Sequence, residues 1–178
     1  MMGCHKHRDD FDNDDLRQRS ESCVREVVRA IRDIQDAKED DDCRDCKDCF
    51  AEPLGDLDGP RRRNADTRVF TLTTKEGKPF FAFFDPAEAD DNDHCRTGCV
   101  SIFFRVEDVF DSGCARLRVL LPLDRDFDPV NLADDGDISL KKVCKVENFK
   151  KTRSCVTVDL NDFIAVQCIK DVDLNVCR

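Results

Sequence analysis

No stretch of this 178-residue chain stays apolar for the roughly 18 residues that a membrane span requires, so no membrane is expected as a partner. Clustered basic residues are scarce. Arg61-Arg62-Arg63 is one short run beside Gly59 and Pro60, and the formal net charge is −10. Phosphate binding needs grouped Lys and Arg, so no nucleic acid is expected either. Glycine is sparse, at 7 residues, and none of it forms a phosphate-cradling loop. There are 3 histidines: two in the segment Cys4-His5-Lys6-His7 and His94 by itself in an acidic loop. No serine or cysteine stands in a pattern with a paired base, and the many Asp residues lack calcium-loop spacing. The chain is therefore expected to be neither an enzyme nor a cofactor carrier. Met1 to Arg19 is polar, without the apolar core of a secretory signal peptide, and none is expected.

Cysteine is abundant, at 12 residues. That density approaches a disulfide scaffold, yet a chain without a secretion signal sits where thiols stay reduced and where Cys-rich sequences usually bind zinc. The conflict also resolves if the protein is made in a cytoplasm that is later lost.

Three segments follow from the pattern. Residues 1–19 form a polar, flexible arm. Residues 20–64 begin with an amphipathic helix capped by Ser20 or Ser22, whose apolar stripe is Val24, Val27, Val28, Ile31 and Ile34. That helix ends in the acidic run Glu39 to Asp42, before a Cys-rich linker. Residues 65–178 are β-rich, with alternation replacing the helical period. Phe70 and Leu72 precede a hairpin signal at Lys75-Glu76-Gly77-Lys78, with Pro79 to Phe84 returning. Centring the turn on Glu76-Gly77 sets Leu72 opposite Phe81 and Phe70 opposite Phe83. Further strands are expected over Val100–Val109, Ala115–Leu121, Ile138–Val146, Cys155–Leu160 and Phe163–Val172. The fold class is mainly β: an antiparallel β-sandwich or barrel-like domain preceded by one amphipathic N-terminal helix.

Two cysteine groups carry chemical expectations. Cys43, Cys46 and Cys49 have zinc-like spacing, which His94, Cys95 and Cys99 are able to complete; an intracellular zinc-binding domain is the alternative function. Thioredoxin-like chemistry at Cys43 and Cys46 is disfavoured, because that motif follows a strand and opens a helix. The second group is Cys155 and Cys168. With Asn161-Asp162 at the centre of a turn, Leu160 faces Phe163, Val158 faces Ala165 and Cys155 faces Cys168, at a spacing a disulfide bridges. A three-residue loop or bulge would shift the register by one, and the alternative is two buried free thiols packed as small apolar residues.

Several segments together resemble a known family. They are Cys23-Val24-Arg-Glu-Val27-Val28, Arg68-Val-Phe70-Thr-Leu72, Lys75-Glu-Gly77-Lys-Pro79-Phe80-Phe-Ala82-Phe83 and Phe103-Phe104-Arg105-Val106-Glu107. Cys114-Ala115-Arg-Leu117-Arg-Val119-Leu120, Ser154 to Leu160 and Phe163 to Cys168 complete the set. In this order they are similar to the cysteine-rich spore coat and exosporium proteins, the CotY/CotZ/ExsY family. The stretch from Leu123 to Lys151 departs from that pattern, and the chain has no Tyr.

The resemblance implies a structural protein of the spore crust or exosporium basal layer. Such a protein is made in the mother-cell cytoplasm without a signal peptide and is later exposed to oxidation. It implies self-association into rings, taken as hexamers, that tile into a disulfide-cross-linked two-dimensional lattice giving resistance and a permeability barrier. The partners implied are other copies of the chain and other spore coat proteins. Cys4 and Cys177, close to the chain ends, are the leading cross-link candidates between subunits, with Cys43, Cys46 and Cys49 beside them.

Overall fold

Alternating apolar and polar residues over Thr67–Thr74 build the first strand, β1. Gly77 then turns the chain at φ +77°, a value side chains other than glycine rarely adopt, and its N–H donates to the Thr74 carbonyl at 2.9 Å. The hairpin is short. Phe80 N–H reaches the Leu72 carbonyl at 2.8 Å, after which the chain leaves β1 and Ala82–Phe83 (β2) pairs with Val100–Ser101 (β3).

This corrects the expected aromatic ladder. Ala82 and Phe84 point inward with Phe80 packed against them, whereas Phe81 and Phe83 are exposed. Phe80 lies over Phe104 at 5.4 Å and meets Phe163 edge-on at 5.2 Å, so the aromatic packing joins three elements instead of two.

The computed structural model describes residues 49, 53–57, 64–89 and 99–176, all within the unit Cys46–Arg178. The amphipathic helix expected after Ser20 lies outside the described residues. Within them the protein is mainly β. Phe104–Val109 (β4), Cys114–Leu123 (β5), Asn148–Asp159 (β8) and Phe163–Val172 (β9) join β1 in one five-stranded antiparallel sheet. Its order is β8-β5-β4-β1-β9. Ala133–Asp134 (β6) and Asp137–Ile138 (β7) form a small ribbon.

Ile138–Val146, expected as a strand, is mostly not one. After β7, Ser139 starts a single helical turn, Leu140–Val143 (α1), in which Lys142 and Val143 donate to the Ser139 carbonyl at 3.0 and 3.1 Å. Val143 and Val146, three residues apart, then both reach the core, which alternation does not allow.

Apolar packing covers both faces of the sheet. On one face Ala115, Leu117, Val119 and Leu121 of β5 meet Phe70, Leu72, Phe104 and Val158. On the other, Val69, Leu120, Ile102, Phe103, Leu132 and Val172 form a second cluster. Burying each large side chain stabilises the fold by about 2 kcal/mol.

Strands β8 and β9 adjoin in sequence yet occupy opposite edges of the sheet. Leu160–Asp162 between them is a 3-10 turn rather than the centre of a hairpin. The Asp159 carboxylate accepts the Asn161 N–H at 2.9 Å, and Leu160 N–H donates to the Gly113 carbonyl at 3.0 Å, which holds the end of β8 on β5.

Candidate functional site

Since β8 pairs with β5 and β9 with β1, Cys155 faces Arg118 in the register while Cys168 faces Phe70. The expected Cys155–Cys168 bridge is therefore replaced. Cys168 is bonded to Cys49, with Cα atoms 5.5 Å apart across 119 residues of sequence, and Cys155 is an exposed thiol. Cys49, expected among the cross-links between subunits and among the zinc ligands, is thus tied within its own chain.

A polar clasp fixes the linker beside this bridge. Asp171 is buried on β9, directly opposite Arg68 on β1. Its two carboxylate oxygens accept from Arg68 Nε and Nη2, each at 2.8 Å, in a forked pair. The same carboxylate accepts the backbone N–H of Gly55 at 2.6 Å and of Leu57 at 3.3 Å. Arg68 also donates to the carbonyls of Cys49 and Pro53, each at 2.9 Å. One ion pair thus gathers Cys49, Pro53, Gly55 and Leu57 onto two strands. Burial opposes ionisation of Asp171, but the Arg68 guanidinium and the two amides outweigh it and hold the carboxyl below its ordinary pKa.

A second network runs across β4, β5 and the C-terminal segment. Glu107 Oε1 lies 2.7 Å from Arg105 Nη1 and 2.6 Å from Arg118 Nε. Arg118 continues to the Thr152 carbonyl at 2.8 Å, and Arg105 Nε to Thr67 Oγ1 at 3.1 Å. Thr67 Oγ1 donates to Asp66, whose carboxylate also accepts the N–H groups of Leu174 and Val176. Burial pushes the Glu107 and Asp66 carboxyls up, yet these donors prevail and both sit lower than usual.

The remaining cysteines divide by exposure. Cys155 on β8 and Cys144, which ends α1, are exposed thiols; Cys114 is half-buried and Cys99 is buried. Cys4, Cys43, Cys46, Cys177, His94 and Cys95 lie outside the described residues. Among the described residues no three His, Cys, Asp or Glu side chains gather as a metal site would require.

Among the described residues β8 and β9 are the edge strands of the sheet. The turn Pro86–Ala89 lies against part of β8, where Arg153 N–H and Nε donate to the Glu88 carboxylate at 2.9 and 3.0 Å. Ile164, Val166 and Ile169 are exposed on β9. A hollow of about 380 Å³ beside the Cys49–Cys168 bridge is lined by Leu54, Val106 and Val166 with Phe70 beneath. The β8 edge is polar and basic, carrying Lys150, Lys151, Arg153 and Thr157 next to Cys155. Among the described residues no strand pairs beyond either edge.

The family model for Spore coat protein Z matches residues 10–171. Spore coat protein Z of Bacillus subtilis (strain 168) is 32% identical over 154 residues, which span 86% of this chain and 93% of that protein. The chain belongs to the spore coat protein Z family. No solved structure matches it. Membership of the spore coat protein Z family agrees with the resemblance drawn from the sequence. The matched region takes in both sheet edges and the Arg68–Asp171 clasp. The local sequence pattern does not mark those two clasp residues as partners. Asp171 inside the largely apolar strand Phe163–Val172 is the signal that was there to find, since a charge in such a strand needs a partner.

Proposed function

We propose that the chain is a structural protein of the bacterial spore's outer layer, in the crust or the exosporium basal layer. Copies associate into rings, taken as hexamers, and the rings tile into a sheet that disulfides then lock. Its chemistry is thiol oxidation without turnover, and its effects are resistance and a permeability barrier.

The observation that carries this reading is the pair of unlike sheet edges. A closed ring needs a heterologous contact, in which one patch meets a different patch on the next copy. An apolar β9 edge and a basic, polar β8 edge supply two such patches on one subunit. Long exposed edges with apolar side chains are surfaces that natural proteins normally blunt. An apolar β9 edge without a further paired strand among the described residues suits a protein whose task is to associate. The exposed Cys144 and Cys155 add cross-link candidates to Cys4, Cys177, Cys43 and Cys46.

Non-reducing electrophoresis of the oxidised protein tests the reading. The expected pattern is a ladder that collapses to one band only with reductant. A single monomer band without reductant contradicts it, as does a multimer that a metal chelator alone disperses, which instead supports the zinc-binding alternative.

A further inference from the structure

We infer that the Arg68–Asp171 clasp directs the oxidation of this chain, holding Cys49 against Cys168 before any disulfide exists so that these two pair with each other. The inference is independent of whether copies of the chain assemble.

The clasp does not need the bridge. Among the described residues its hydrogen bonds are made by Arg68, Asp171 and the backbone of Cys49, Pro53, Gly55 and Leu57, and none of them uses a sulfur. Arg68 and Asp171 are neighbours by strand register, set by the whole β1–β9 pairing from Thr67↔Val172 to Thr74↔Phe163. Arg68 Nη1 then holds the carbonyl of Cys49 itself, so the thiol-bearing residue is positioned from its own backbone. Gly55 reaches Asp171 at φ +102°, in the region that favours glycine, and is buried there. A segment fixed at four residues presents its thiol at a far higher effective concentration than a loose tether, which gives only about millimolar values.

The closing step is thiol–disulfide exchange. A low-molecular-weight disulfide such as oxidised glutathione forms a mixed disulfide with one cysteine and releases one glutathione thiol. The second cysteine, as thiolate, then displaces the other. The two protein thiols lose two protons and two electrons, and the glutathione disulfide becomes two thiols. With Cys49 and Cys168 removed from the reactive pool, intermolecular bonds fall to the other cysteines.

Two measurements on the full chain test this. In glutathione redox buffers, the effective concentration of the Cys49–Cys168 pair is read by mass spectrometry of alkylated peptides. Arg68→Met and Asp171→Asn are expected to lower it by about tenfold or more and to move Cys49 into mixed or intermolecular disulfides. Val158→Ala, a buried change on β8 at the opposite edge of the sheet from β9, serves as the control for simple destabilisation and should leave the value unchanged in protein that remains folded. Equal loss in all three variants overturns the inference, as does no loss in the clasp variants. The second measurement needs no variant: hydrogen exchange at the Gly55 amide in fully reduced wild-type protein. Slow exchange there supports a clasp that precedes the bridge. Fast exchange that slows only after oxidation shows the bridge making the clasp, and overturns the inference.

Discussion

Arg68 and Asp171 stand directly opposite each other on β1 and β9, joined by two contacts of 2.8 Å, and Asp171 is almost wholly buried. Removing one partner of a buried ion pair strands the other charge, at a cost of about 3 kcal/mol or more. Arg68→Met and Asp171→Asn are therefore expected to lower the urea midpoint by a comparable amount each, and the double change by less than their sum. Urea denaturation under reducing conditions measures this. Additive losses would show that the two residues do not act as a pair.

Stability should fall in acid for a definable reason. The Asp66, Glu107 and Asp171 carboxyls all titrate below their ordinary values in the fold. A carboxylate with a depressed folded pKa contributes stability that is present above its unfolded pKa, near about 4, and is lost as pH falls through the lower folded value. Urea midpoints should hold steady from neutral pH to about 5 and decline steeply below about 4. Glu107→Gln should flatten that decline. An unchanged acid slope in this variant would mean that the Arg105–Glu107–Arg118 network does not store the dependence.

Much of the strand pattern is legible in the sequence because burial imposes alternation locally. Phe163–Val172 is a strand over its expected length, and the turn at Gly77 lies where glycine's backbone freedom requires it. Pairing is not local. A hairpin between consecutive strands sets Cys155 opposite Cys168, but Leu160 donates back to Gly113 and ties β8 to β5. β9 finds its partner in β1, almost a hundred residues earlier in the chain. The aromatic ladder failed for a related reason, since Phe80 packs against Phe104 and Phe163 from distant strands. Arg68–Asp171 is not legible in the sequence, because a charge pair is recognisable only once the register brings its members together.

Thiol accessibility gives a direct check on the placement of the cysteines. In monomeric protein carrying the Cys49–Cys168 bridge, brief treatment with iodoacetamide should label Cys144 and Cys155 first and Cys114 more slowly. Cys49 and Cys168 should label only after reduction. Peptide mass spectrometry reads the order, and early labelling of Cys168 would contradict the bridge.

Assembly is expected to precede oxidation. Burial of the two sheet edges would form the contacts, and each disulfide would then add about 2–4 kcal/mol of resistance. A variant lacking Cys4 and Cys177 should still form sheets, though heat or denaturant should disperse them more readily. Complete loss of sheets in that variant would reverse the proposed order.

Electron microscopy of the concentrated wild-type protein, imaged first in reductant and again after oxidation, tests the central claim most directly. The account predicts ordered two-dimensional arrays in both states, with those formed after oxidation surviving denaturant. Dispersed single particles in both states, at concentrations where the protein remains folded, would contradict it.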